Sequence, residues 1–153
     1  MDKKTFQNNV LSAETMLYRV AKSICFYESD CEDAVHEAIL RAYEKLPDLR
    51  EEKYFRTWLV RILINECYKI NKSKKYEVSF SEYTLSEEAK TEEFSYVFDS
   101  IMRLPEKIRI TVQLHCVEGY SVEETAKILG IPQGTVKSRL SQGRAKLRDV
   151  LEE

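Results

Sequence analysis

Glycine is almost missing from most of this 153-residue chain: Gly119, Gly130, Gly134 and Gly143 all lie in the last 35 residues, and there are only three prolines. Long stretches rich in Ala, Leu, Glu, Lys and Arg without glycine favour helix. No apolar run approaches the roughly 18 residues that a membrane span needs. The start, Met1-Asp2-Lys3-Lys4, lacks the apolar core of a signal peptide, so a cytoplasmic protein is expected. The four cysteines, Cys25, Cys31, Cys67 and Cys116, include no C-x-x-C pair. Cys31 with His36, or His115 with Cys116, lacks the partner spacing of structural zinc, which leaves small buried thiols in a reducing compartment. With two histidines, no phosphate loop and no plausible triad, neither an enzyme nor a cofactor, metal or small-molecule substrate is expected.

What is present is globular in composition, 43% hydrophobic and 33% charged. The net charge of −2 argues against a free-standing nucleic-acid binder. That average conceals segregation. From Ile131 to Arg148 there are five bases (Lys137, Arg139, Arg144, Lys146, Arg148) and no acid. From Arg61 to Lys75 five more (Arg61, Lys69, Lys72, Lys74, Lys75) stand against Glu66 alone. Between them, Glu77 to Asp99 holds seven acids and only Lys90.

Apolar periodicity predicts an all-α protein of two small helical domains, one of three helices and one of four, joined by a flexible acidic linker. A first helix is expected over most of Lys3 to Phe26, with Phe6, Val10, Leu17, Val20, Ala21 and Ile24 towards a core. Ser29-Asp30-Cys31-Glu32 reads as a capping box opening a second helix. Its stripe is Ala34, Val35, Ala38, Ile39, Ala42 and Leu46, and Pro47 ends it. A loop from Pro47 to Lys53 leads to a third helix, Tyr54 to Asn71, which turns Phe55, Trp58, Leu59, Ile62 and Leu63 inward. Arg56, Arg61 and Lys69 remain for solvent or a ligand. The boundaries read as 1–72, a linker 73–91 in which Tyr76, Val78 and Phe80 alternate, and 92–153.

In the second domain Phe94, Val97, Phe98 and Ile101 space one helix. A second, with Pro105 in its first turn, carries Ile108, Val112 and Val117 as far as Gly119. Ser121-Val122-Glu123-Glu124 is another capping box, opening a helix closed by Gly130. The last helix runs from Pro132 to Leu151. A short helix, a turn with glycine and a following helix make a helix-turn-helix. In the last helix Val136, Leu140, Gly143 and Leu147 share a packing face, and the glycine suggests a close approach of two helices. Lys137, Ser138, Ser141 and Gln142 occupy another face near the N-terminal half, where recognition helices meet base edges. Lysine serves guanine, glutamine adenine, and serine either. Gln133 and Thr135 lie at the helix start, where backbone N–H groups favour a phosphate. A single basic helix is most often only a solvated face; here the capped helix, the glycine turn and the acid-free face occur together.

These residues carry a resemblance. Leu104-Pro105-Glu106-Lys107-Ile108-Arg109, then Glu118-Gly119-Tyr120-Ser121 and the run from Gly130 to Leu140 (GIPQGTVKSRL), closely resemble domain four of the extracytoplasmic-function (ECF) sigma factors. Asp30 to Ala38 resembles the polymerase-binding helix of their domain two, and Phe55 to Ile62 the helix that binds and melts the −10 element. The three motifs stand in family order and cover nearly the whole chain.

The resemblance implies a promoter-recognition subunit without catalytic activity. Its partners would be core RNA polymerase (the clamp helices of the largest subunit, and the flap), promoter DNA and an anti-sigma factor. Asp30, Asp33, His36, Glu37 and Arg41 would meet the polymerase. Arg56, Trp58, Arg61, Asn65 and Lys69 would meet −10 DNA, with Asn65 and the Pro47 to Lys53 loop taking a flipped base. His115, Gln133, Thr135, Lys137, Ser138, Ser141 and Gln142 would meet −35 DNA, with His115 where similar chains place a phosphate-binding base. Gly143 stands where alanine is more usual. The competing reading, a stand-alone helix-turn-helix regulator, leaves Asp30 to Leu46 and Phe55 to Ile70 without a use.

Overall fold

The computed structural model describes residues 1–73 and 92–151, all in helices and their connections. The chain divides into two compact units, Met1–Lys75 and Tyr76–Glu153. The alternation of Tyr76, Val78 and Phe80 lies outside the described residues.

In the first unit, helix α1 spans Lys3–Lys22, α2 Glu28–Glu44 and α3 Phe55–Ser73. Asp2 caps α1: its Oδ1 accepts from the Thr5 N–H at 2.8 Å, and that backbone hydrogen bond holds the Asp2 carboxyl below its ordinary range. The helix ends four residues before Phe26, where the Ser23 hydroxyl donates to the Val20 carbonyl at 2.6 Å and closes the last turn. The chain beyond stays in the core, since Ile24 and Cys25 are fully buried. The capping box expected at Ser29 does not form. Tyr27 is the extended residue before α2, its carbonyl accepts from the Asp30 and Cys31 N–H groups at 3.1 Å each, and Ser29 falls inside the first turn.

Ala34, Val35, Ala38 and Ala42 form the buried stripe of α2, whereas Ile39 and Leu46 are only half-buried. Pro47 lies in a short 3-10 turn, Leu46–Asp48, just after the helix end. On α3, Phe55, Leu59, Val60, Leu63, Ile64 and Cys67 are buried. Trp58 and Ile62, expected in the core, lie at its edge. Phe6 packs edge-on against both Tyr43 (5.2 Å) and Phe55 (5.6 Å), so one aromatic ring joins all three helices. The Asn71 amide donates to the Ile24 carbonyl at 2.9 Å and ties the end of α3 to the chain after α1.

Three thiols converge in this core. The Cys31 thiol lies 3.3 Å from the Cys25 carbonyl, and Cys25 Sγ lies 3.9 Å from the Cys67 carbonyl. Burial pushes the Cys31 thiol up to about 12, and a hydrogen bond with Cys25, together with burial, pushes Cys67 up as well. Cys116, also expected to be buried, is exposed.

In the second unit, α4 spans Glu92–Met102, α5 Glu106–Val112, α6 Val122–Leu129 and α7 Gln133–Leu151. Ile101, Leu104, Ile108, Val112, Ala126, Val136 and Leu140 form the core, with Val122, Ile131 and Leu147 packed on it. Val97 faces solvent instead, and the side chain of Phe94 lies outside the described residues. Pro105 precedes α5 as its cap rather than standing in the first turn, and its carbonyl accepts from the Arg109 N–H at 2.8 Å.

After Val112 the helix widens into a π turn, Gln113–Val117, where the Glu118 N–H reaches the Gln113 carbonyl at 3.0 Å. Val117, five residues after Val112, is exposed rather than in the core. The Ser121–Glu124 capping box forms with both bonds at 3.0 Å. Gly130 ends α6 at φ +67°, a left-handed conformation that a residue with Cβ adopts only under strain.

Candidate nucleic-acid interface

Two basic faces emerge, one on each unit. On the first, α2 and α3 bring Arg41, Lys45, Ile62, Asn65, Glu66 and Lys69 around a pocket of about 290 Å³. Glu66 was not foreseen as part of it. A carboxylate at a buried position of a helix needs a partner. Glu66 is 6% exposed, with Arg41 Nε at 2.7 Å and Lys69 Nζ at 3.2 Å, both nearest the same oxygen, Oε1. The Arg41 contact is an ion pair without hydrogen-bond alignment. Arg41 also meets Glu37 at 3.3 Å, one turn back on α2.

Arg41, expected among the polymerase-facing residues, is therefore turned towards the Asn65 pocket, held there by a carboxylate on the neighbouring helix. The i, i+4 and i, i+1 spacings of Arg41, Lys45, Asn65, Glu66 and Lys69 were visible in the sequence; the pairing of α2 with α3 was not. Asn65 is exposed at the pocket, and Arg61 is exposed one turn before it. Arg56 is exposed as well, but its guanidinium donates to the Ser12 carbonyl at 2.7 Å. Trp58 is half-buried, its ring 6.1 Å from that of Phe55. Next to the Pro47 to Lys53 loop, Tyr54 stands exposed with Lys53 Nζ 5.0 Å over its ring.

Of the remaining residues on α2, Asp33, His36 and Glu37 are exposed, with Leu40 one turn further on, 59% exposed. Asp30 is not part of that surface: it is 8% exposed and engaged within its own chain. It lies in the first turn of α2, where partial positive charge gathers and a carboxylate is favoured.

On the second unit, Gln133, Lys137, Ser138, Ser141 and Gln142 are exposed along one side of α7 while Val136, Leu140 and Gly143 pack inward. Thr135 is half-buried, and its N–H donates to the Pro132 carbonyl at 3.1 Å. Arg144, Lys146 and Arg148 extend the exposed positive charge down the helix. His115 is half-buried in the π turn, and its Nδ1 is 2.7 Å from the Tyr120 carbonyl. A carbonyl only accepts, so Nδ1 carries the proton and Nε2 is the nitrogen left for a ligand. The faces offer donors and cations on an exposed helix, and a small pocket with an amide, cations and one buried acceptor. Among the described residues no group of three His, Cys, Asp or Glu side chains has the geometry to hold a metal ion.

Residues 10–75 match the family described as Sigma-70 region 2, and residues 96–147 that described as Sigma-70, region 4. The ECF RNA polymerase sigma factor SigM of Mycobacterium tuberculosis is 30% identical over 154 residues, covering 98% of this chain and 79% of that protein. The ECF RNA polymerase sigma-E factor of Escherichia coli K12 is 31% identical over 168 residues, 94% of this chain and 84% of that one. Among solved structures, the sigma factor RpoE in complex with the anti-sigma factor NepR, from Bartonella quintana, superposes with a TM-score of 0.80 at 25% identity, covering 97% and 98% of the two chains. CnrH in complex with the cytosolic domain of CnrY has the same fold, with a TM-score of 0.77 at 24% identity over 99% and 90%.

Proposed function

Given that the chain belongs to the ECF RNA polymerase sigma factors, subunits that bind core polymerase and direct transcription from particular promoters, we propose how its surfaces divide that task. Unit one meets the polymerase through the exposed α2 face of Asp33, His36, Glu37 and Leu40, and meets melted −10 DNA through α3. Unit two reads the −35 element with Gln133, Lys137, Ser138, Ser141 and Gln142, while His115 and the N-terminal turn of α7 meet phosphates. Residues 73–91 link the two. The chain acts in the cytoplasm, where polymerase works. An anti-sigma factor controls it, by analogy with the NepR-bound relative.

The observation that carries this reading is the pocket beside Asn65. A single unpaired base fits a cavity of that size, and an exposed amide with neighbouring cations suits its edge and its phosphates. The division also accounts for the charge. Ten bases in two patches on a chain of net charge −2 hold DNA weakly; joining the polymerase ties both patches to one scaffold and raises their effective concentration.

Run-off transcription with core polymerase over a promoter library tests the function and supplies the promoters. Permanganate footprinting of Asn65→Ala on them tests the pocket. The variant should melt cognate −10 DNA less and lose discrimination at one base position, with core binding and thermal stability near wild type. Equal melting on every promoter would remove Asn65 from the site.

A further inference from the structure

Arg41, Lys45 and Lys69 around one cavity would, without a counter-charge, make a phosphate site. Glu66 alters that. It is the buried acid of the wall, and it engages two of the three cations from two different helices. A phosphate entering would lie against a carboxylate that cannot leave, because solvent barely reaches it and both partners hold it. A base edge has no such conflict: every base presents at least one N–H donor, which a carboxylate accepts, and the flanking cations and the Asn65 amide supply donors for its carbonyl oxygens or ring nitrogens.

We propose that Glu66 is a positioning and specificity residue that makes this pocket a base site and denies it to the backbone phosphate. It does so by fixing the Arg41 and Lys69 heads on the rim and placing an acceptor in the wall. The inference rests on the reading of the pocket as the −10 base site.

The test uses holoenzyme and fork-junction DNA of a promoter recovered from the library. Each position of the unpaired −10 strand carries either its base or an abasic site, and binding is followed by anisotropy at several salt concentrations. Wild type should lose about tenfold in affinity at one abasic position, the worth of a single base contact. In Glu66→Gln, which keeps shape but not charge, abasic DNA should bind tighter than it does to wild type, narrowing the loss to within about twofold. The slope of log K against log salt should steepen by about 0.7, one further single-strand phosphate. Glu66→Asp should keep the discrimination.

A wild-type ratio in Glu66→Gln, or equal weakening on both DNAs, overturns the inference. Should that variant not fold, Arg41→Gln with Glu66→Gln removes the buried charge together with its partner, and the ratio must still narrow. Asn65→Ala run alongside separates the two readings. If neither it nor any abasic site alters binding, the pocket takes no base and the −10 reading falls. If both do while Glu66→Gln behaves as wild type, only the role of Glu66 falls.

Discussion

Gly143→Ala sets two effects against each other at one atom. Gly143 is in the middle of α7, on the face that packs against α5. Alanine there gains about 1 kcal/mol in helix propensity. Its Cβ, however, would lie 2.7 Å from Val112 Cγ2 and 3.1 Å from Ile108 Cγ2. Neither methyl gives way cheaply, since β-branched side chains in helices are confined to one χ1 well and Val112 is 2% exposed. Overpacking of this kind costs about 1–3 kcal/mol. The balance is a loss of about 1 kcal/mol, which lowers Tm by about 4–8 °C for a unit of this size.

Trp58, the single tryptophan, lies in the other unit, so its fluorescence serves as an internal control in the full chain. The loss should appear in the far-ultraviolet circular dichroism melt while the Trp58 transition stays in place. Val112→Ala removes the nearer of the two obstructing methyls and leaves only the 3.1 Å approach to Ile108, so in the double variant the added alanine should cost much less or become helpful, a coupling of about 1 kcal/mol or more. A Gly143→Ala chain stabilised by the whole helix-propensity gain would refute the reasoning, because α5 and α7 would then have room to separate.

Three further outcomes follow from named surfaces. Asp33→Lys, alone and with Glu37→Lys, should abolish co-purification with core polymerase at unchanged circular dichroism. The single change is the cleaner, since Glu37 also pairs with Arg41. Lys137→Ala and Gln142→Ala should each shift −35 preference in a library-binding assay by about 1–3 kcal/mol if the contact is bidentate, whereas uniform weakening on all variants would assign them to phosphates. A disulfide reagent at pH 8 should titrate one thiol in the native chain, the exposed Cys116, and the remaining three only on unfolding. Thiolate is the reactive form, and Cys31, pushed up to about 12, stays protonated there.

Much of the fold was legible in local patterns. The buried stripes of α1, α2 and α7 follow from apolar spacing, the Ser121 cap from a four-residue box, and the end of α6 from Gly130. Misses came where a local signal met a competing one. Ser29 has the residues of a cap, yet Tyr27 took the cap position two residues earlier because its extended backbone already presents a carbonyl to the first turn. Apolar periodicity reaches Val117 only loosely, since it follows Val112 by five residues, about 140° round an α-helix, and it is exposed; nothing in residue type announces the π-turn bond from Glu118 to Gln113. Val97 was placed inward by the same periodicity and faces solvent.

The candidate site divides along the same line. The exposed face of α7 was readable from one helix, because side chains three and four apart lie together whatever the helix packs against. The family motifs likewise sit within single elements, so the class of protein was legible in the sequence alone. The pocket was different. Asn65 was singled out by position, but its neighbours Arg41 and Lys45 stand some twenty residues earlier, and Glu66 appeared only as the lone acid in a basic run. A charge on one helix acquires its meaning from what the next helix sets beside it. Only the packing of α2 on α3 buried Glu66 and drew Arg41 to within 2.7 Å of it, beside the Lys69 that α3 itself sets at 3.2 Å, and so joined charges from two helices into one cluster.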